Sequence, residues 1–152
     1  VFNSAQIPGE IIDLLVINTE TLNAHPELGK ALTGAWYEIM ATMSSDSEQG
    51  VAARSYMAEA SGTDLAGYEA QLAATKMFYT PAAALELTNS AQLKQTMQYV
   101  AEFSFDHGLL GEGAPDAGFI GVQMPAGDYG DNSNLKLRFD PTYMQMAADG
   151  AL

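Results

Sequence analysis

The strongest constraint on this chain is the run Ile11 to Ile17, IIDLLVI, in which Asp13 is the single polar residue. Six apolar residues in seven, rich in Ile and Val, suit a strand buried on both faces, as in a parallel sheet. Periodicity alone does not separate such a run from a buried helix, so the flanks decide. Pro8-Gly9 stops the chain before it, and Asn18-Thr19 breaks it afterwards. His25-Pro26-Glu27 then opens a helix, with Pro26 at its first position and Glu27 placed favourably against the helix dipole. The chain thus reads as a turn, a deeply buried strand, a short loop and a helix, one half of a βαβ unit.

Downstream the pattern is helical. Leu28, Leu32, Ala35, Trp36, Ile39, Met40 and Met43 form one apolar face over Pro26 to Met43. Ser44-Ser45-Asp46-Ser47 ends this first helix and supplies an N-cap for a second helix from Glu48 to Ala60, closed by Ser61-Gly62, and Thr63-Asp64 caps a third with Leu65, Tyr68 and Leu72 inward. Thr80-Pro81 begins a fourth. Asn89-Ser90 opens a fifth, with Leu93, Met97, Val100 and Phe103 as its apolar face and Gly108-Leu109 as a left-handed cap. Beyond Leu110 the texture changes. GEGAPDAG is a loop, Phe119 to Val122 a short strand, and DYGDNSN turn material. Leu135 to Phe139 alternates strictly, as a strand with one wet face does, and Asp140-Pro141 introduces a last short helix ending near Gly150. The expected architecture is α/β and helix-rich: one buried N-terminal strand, about five helices and a short β-containing tail. Residues 1–111 are expected to form the strand and helical segment, and 112–152 the loop, short strands and terminal helix.

Charge narrows the function classes. Six Lys and Arg stand against 19 Asp and Glu, a formal net charge of −13. Nucleic acid and anionic membrane surfaces are both repelled by such a chain at long range. With no cysteine, there is no disulfide, thiolate metal site or cysteine nucleophile. No apolar run approaches the ~20 residues of a membrane span. No basic-then-apolar leader is visible either.

Few residues offer chemistry. His25 precedes a helix, and His107 sits in a last helical turn where its positive form complements the dipole. A structural role explains each better than a catalytic or metal-binding one. Asp128, Asp131, Asn132 and Asn134 resemble a calcium loop, but they lack the alternate-position spacing and the distant bidentate Glu of that motif, so a polar turn is the better reading. The eight methionines fit the role of filling irregular packing gaps. No nucleophile elbow, phosphate loop or dinucleotide fingerprint is present. The expectation is a protein without catalysis, metal or cofactor. Ser4, Gln6 and Glu10 crowd into the turn just before the strand, where α/β proteins bind small ligands; they either hold a small polar molecule or satisfy the local turn.

The stretch SAQIPGEIIDLLVINTETLNAHPELGKALTGAWYEIM, the element Tyr79-Thr80-Pro81-Ala82-Ala83-Ala84 and the tail Asn134 to Met144 resemble the later part of periplasmic substrate-binding proteins of the nitrate/sulfonate/taurine type. IPGEIIDLLV and the tail are similar to the subgroup associated with urea and amide utilisation. The resemblance covers nearly the whole chain. It implies a portion of a type II periplasmic-binding-protein-like fold, a two-lobed receptor that hands a small polar solute to an ABC transporter permease. It further implies a periplasmic location and an earlier lobe upstream, of which this chain is the carboxyl-terminal complement. Thiamine-pyrimidine synthases share that scaffold, but they use a cysteine-rich motif absent here. A third possibility is an autonomous helical interaction or oligomerisation domain. Because an apolar strand needs neighbours for its backbone, a homodimer or strand-swapped pair is also expected, with the tail strand or another copy alongside the run.

Overall fold

The computed structural model describes residues 11–152. Contacts divide the chain into two compact units, one taking in the residues up to Ala84 together with Tyr143–Leu152, the other Leu85–Thr142. The architecture is α/β and helix-rich, with seven α-helices and a two-stranded parallel sheet among the described residues.

In the first unit, α1 (Thr19–Ala24), α2 (Pro26–Met43), α3 (Glu48–Ala60) and α4 (Leu65–Ala73) follow one another, each packed on the next. Their boundaries follow local chemistry. Asn18 accepts a hydrogen bond from the Thr21 N–H, Ser47 from Gly50 and Asp64 from Gly67, so each side chain satisfies a donor that the helix start leaves unpaired. Pro26 occupies the first turn of α2. Among the described residues of this unit, Met40, Met43 and Ala58 are the buried apolar side chains. Arg54 lies buried beside them and donates to the carbonyls of Met43 (2.7 Å) and Ser45 (2.8 Å) and, through Nε, to Glu69 (3.1 Å). That one side chain therefore ties the end of α2 to α3 and α4. Gly50 allows the crossing: a Cβ there would run into the Ser45 and Thr42 carbonyl oxygens. At the other end α7 (Thr142–Ala148) lays the Tyr143 ring over Gly29 of α2, where a Cβ would come within 2.5–2.8 Å of the ring carbons.

The boundary between units falls inside α5 (Pro81–Thr88). The second unit is built on α6 (Ala91–Asp106), capped by Ser90 accepting from Leu93, and among the described residues Leu93 is the one large side chain that is fully buried. Its C-terminus is a Schellman turn. Gly108 adopts φ 71°, its N–H bonds Phe105 O, and the Leu109 N–H reaches back to Ser104 O. β1 (Gly121–Gln123) and β2 (Leu135–Arg138) pair in parallel, Gly121 opposite Leu135 and Val122 opposite Leu137, with an irregularity after Gly121. Gly121 is packed so tightly against Asp131 O that no side chain fits. On its other side Val122 bridges antiparallel to Tyr129. Leu135 and Leu137 are half-buried while Lys136 and Arg138 are exposed, as the alternation of the tail requires.

Three expectations need correction. The run Ile11–Ile17 is not a buried strand: it has no strand partner among the described residues, and Ile11, Leu14, Leu15 and Val16 are exposed, Ile11 and Val16 at 68%. Its composition suits a two-sided sheet interior, but the sheet among the described residues is β1–β2 alone and does not take in the run. Asn18-Thr19 does not simply interrupt the chain, because Asn18 nucleates α1, a helix the periodicity did not disclose at six residues. Finally, the apolar faces are only partly inward. Trp36 and Ile39 of α2 and Val100 and Phe103 of α6 are exposed, and so is Leu109 beyond the Gly108 turn.

Candidate functional site

Ser4, Gln6 and Glu10 lie outside the described residues. Attention therefore turns to the remaining polar side chains and to the concavities of the second unit.

The two histidines are accounted for locally. His25 Nδ1 lies 3.2 Å from Glu27 Oε1 at the exposed start of α2. His107 directs Nδ1 at Phe103 O (2.8 Å), which makes that nitrogen the donor, and stacks on the Phe103 ring with centroids 3.9 Å apart. Each side chain serves its own helix end. The oxygens of the DYGDNSN segment likewise go separate ways. Asp128 Oδ1 accepts from the Met124 N–H at a long 3.4 Å, Asp131 Oδ1 accepts from both N–H and Oγ–H of Ser133, and Asn134 Nδ2 donates to Phe119 O. The two Ser133 bonds favour the ionised form and hold the Asp131 carboxyl below its ordinary range. Among the described residues, no three His, Cys, Asp or Glu side chains converge as metal ligands. The segment is a set of local turns.

Tyr129, carried on the bridge to β1, has its phenol pushed up chiefly by partial burial and then by the Glu102 and Asp116 charges.

Two concavities open on this unit. One, of about 330 Å³, lies at the ends of β1 and β2 and is lined by Gln123, Asp128, Arg138 and Asp140 with Met124, Pro125, Phe139 and Pro141. Its polar lining residues are an arginine, a glutamine and two aspartates. Asp140 Oδ1 is engaged by the Thr142 N–H (2.9 Å) at the start of α7. The arrangement holds acceptors and donors for a small polar molecule but no nucleophile–base pair. The other, of about 160 Å³, is apolar, set between Met97, Val100 and Ala101 of α6 and Val122 and Leu137 of the strands with Ile120 just before β1, and Ser104 is its polar member. Sequence reading placed Arg138 on a wet strand face and Asp140 at a helix start, both as observed. It did not bring them together, because the parallel crossover that aligns Gln123 with Arg138 is a long-range fact.

No protein-family profile, curated protein or solved structure matches the chain.

Proposed function

We propose that this chain is the carboxyl-terminal part of a solute receptor that serves an ABC importer, binding a small polar nitrogen- or sulfur-containing compound such as urea, an amide, nitrate or a sulfonate. One observation carries the reading: an apolar run, Ile11–Ile17, that is largely exposed and has no strand partner among the described residues, followed at once by α1 and α2. A run of that composition belongs in a parallel sheet with helices on its faces; the helices are here, and in the receptor an earlier lobe supplies the sheet. In that fold the type II periplasmic-binding-protein-like crevice lies at the strand end, where Ser4, Gln6 and Glu10 precede the run and contact the solute. No catalysis is assigned, and the location is periplasmic.

Titration of the native gene product with urea, acetamide, nitrate and taurine by calorimetry tests this. Binding of one of them, weakened by about 1–3 kcal/mol in Glu10→Gln as for a lost charged hydrogen bond, is the expected result. Absence of binding across the four solutes discards the receptor.

A second reading, a helical interaction domain, draws on a different observation: Trp36 and Ile39 on α2, and Tyr99, Val100 and Phe103 on α6, form exposed apolar stripes. The mass of the native product separates the two, since a receptor is much heavier than 16.2 kDa.

A further inference from the structure

The apolar hollow of the second unit has the size of a single ring. Its volume is about 160 Å³, and an apolar space of roughly 150 Å³ holds a benzene molecule. Two carboxylates stand beside it. Glu102 follows Ala101 on α6, and Asp116 precedes Ala117 in the loop before β1, both alanines being part of the lining. Tyr129 is tied to the lining as well. Its N–H donates to Val122 O at 3.0 Å, and its carbonyl accepts from the Val122 N–H at 2.8 Å. Burial raises the Tyr129 phenol first, and Glu102 and Asp116 each raise it further, so both carboxylates lie near one phenol. Each commits one oxygen locally: Glu102 Oε1 to the Gln98 amide at 2.9 Å, Asp116 Oδ1 to the Gly118 N–H at 2.8 Å. Oε2 and Oδ2 lie outside those bonds, on exposed side chains.

We propose that this hollow binds a small arylalkylammonium, its ring between α6 and the strands and its ammonium beside Glu102 and Asp116. Met97 and Leu137 give the ring apolar contact from the two walls. An anion of the same shape is turned away twice, by the two carboxylates and by the field of a chain with net charge −13. A cation without the ring buries no apolar surface, and exposed carboxylates alone hold it weakly. The inference goes beyond the receptor reading and does not rest on it. It concerns the Leu85–Thr142 unit, whereas the receptor crevice is assigned to Ser4, Gln6 and Glu10.

Methionine-methyl NMR of the 152-residue chain at low salt, titrated with 2-phenylethylammonium chloride, is the test. Met97 lines the hollow, whereas Met40 and Met43 are buried in the first unit. The expected result is a saturable shift of the Met97 signal with Met40 and Met43 unmoved, at a dissociation constant of about 0.1–5 mM for so small a ligand. Phenylacetate and methylammonium each bind at least about tenfold more weakly. Glu102→Gln and Asp116→Asn each raise the dissociation constant about three- to tenfold, and about 0.5 M sodium chloride does the same. Ala101→Leu fills the hollow from α6 and abolishes the response; Ala117→Leu fills it from the loop and does so without touching the helix. A Met97 signal unmoved up to about 20 mM ligand overturns the inference. So does an equal response to phenylacetate, indifference to both carboxylate substitutions, or a shift shared by Met40 and Met43. None of these outcomes bears on the receptor reading, which calorimetry with urea, acetamide, nitrate and taurine reads separately.

Discussion

Arg54 shows how one residue can stand in for a core. Its guanidinium closes the end of α2 by binding the Met43 and Ser45 carbonyls, orphaned acceptors of a helix terminus, while Nε holds Glu69 of α4. Arg54→Met keeps the apolar stem but strands two carbonyls and a carboxylate, and is expected to lower stability by about 2–4 kcal/mol in urea unfolding. Arg54→Lys, lacking the fork, restores less than half of that. Asp131 gives a pH signature instead. Its folded carboxyl is held below the ordinary range by Ser133, so its contribution is complete above the unfolded pKa and is lost as pH falls through the folded one. The urea midpoint of Asp131→Ala should therefore lie below that of the native chain at neutral pH, and the gap should close as acidification protonates the folded carboxyl. A gap of constant size would mean that Asp131 acts by shape, without its charge.

Elements were legible wherever a cap and a period agreed. The ends of α2 and α3, the Asp64 and Ser90 caps, the Gly108 turn and the wet-and-dry alternation of β2 can all be read from neighbours within four residues. The failures share a cause. Whether IIDLLVI is buried depends on strands elsewhere in the molecule, and whether Trp36 or Phe103 is covered depends on a facing surface, so local pattern states a capacity and not an outcome. The Arg54 clamp and the cleft joining Gln123 to Arg138 were hidden for the same reason, being contacts across 15 residues. The candidate residues Ser4, Gln6 and Glu10 were chosen for their place before the run and lie outside the described residues. Two substitutions test the element boundaries that local reading did find. Gly108→Ala forces a Cβ into the left-handed region and should cost about 1 kcal/mol, seen as earlier fraying of α6 in hydrogen exchange. Gly29→Leu should be felt at the far end of the sequence: with the Tyr143 ring displaced from α2, α7 should become susceptible to limited proteolysis while α3 and α4 keep their protection.

At the scale of the whole chain, charge and apolar exposure act against one another. Nineteen carboxylates face six Lys and Arg, an excess of thirteen. Most acidic side chains thus repel without compensation, which keeps the chain dispersed while disfavouring the compact state. The exposed run Ile11–Ile17 and the stripes on α2 and α6 pull the other way, toward any surface that covers them. Screening weakens the repulsion at once, since the Debye length falls from about 30 Å at 0.01 M salt to about 3 Å at 1 M. Raising sodium chloride from low to high should therefore raise the melting temperature by several degrees, about what 1–2 kcal/mol gives in a chain of this length. Association through apolar surface would also respond to salt, so the measurement belongs at several chain concentrations. A rise that is the same at each assigns the effect to self-repulsion within one molecule. A rise that grows with concentration assigns it to association, and a fall would mean that attractive ion pairs, Arg54 with Glu69 foremost, outweigh the excess of carboxylates.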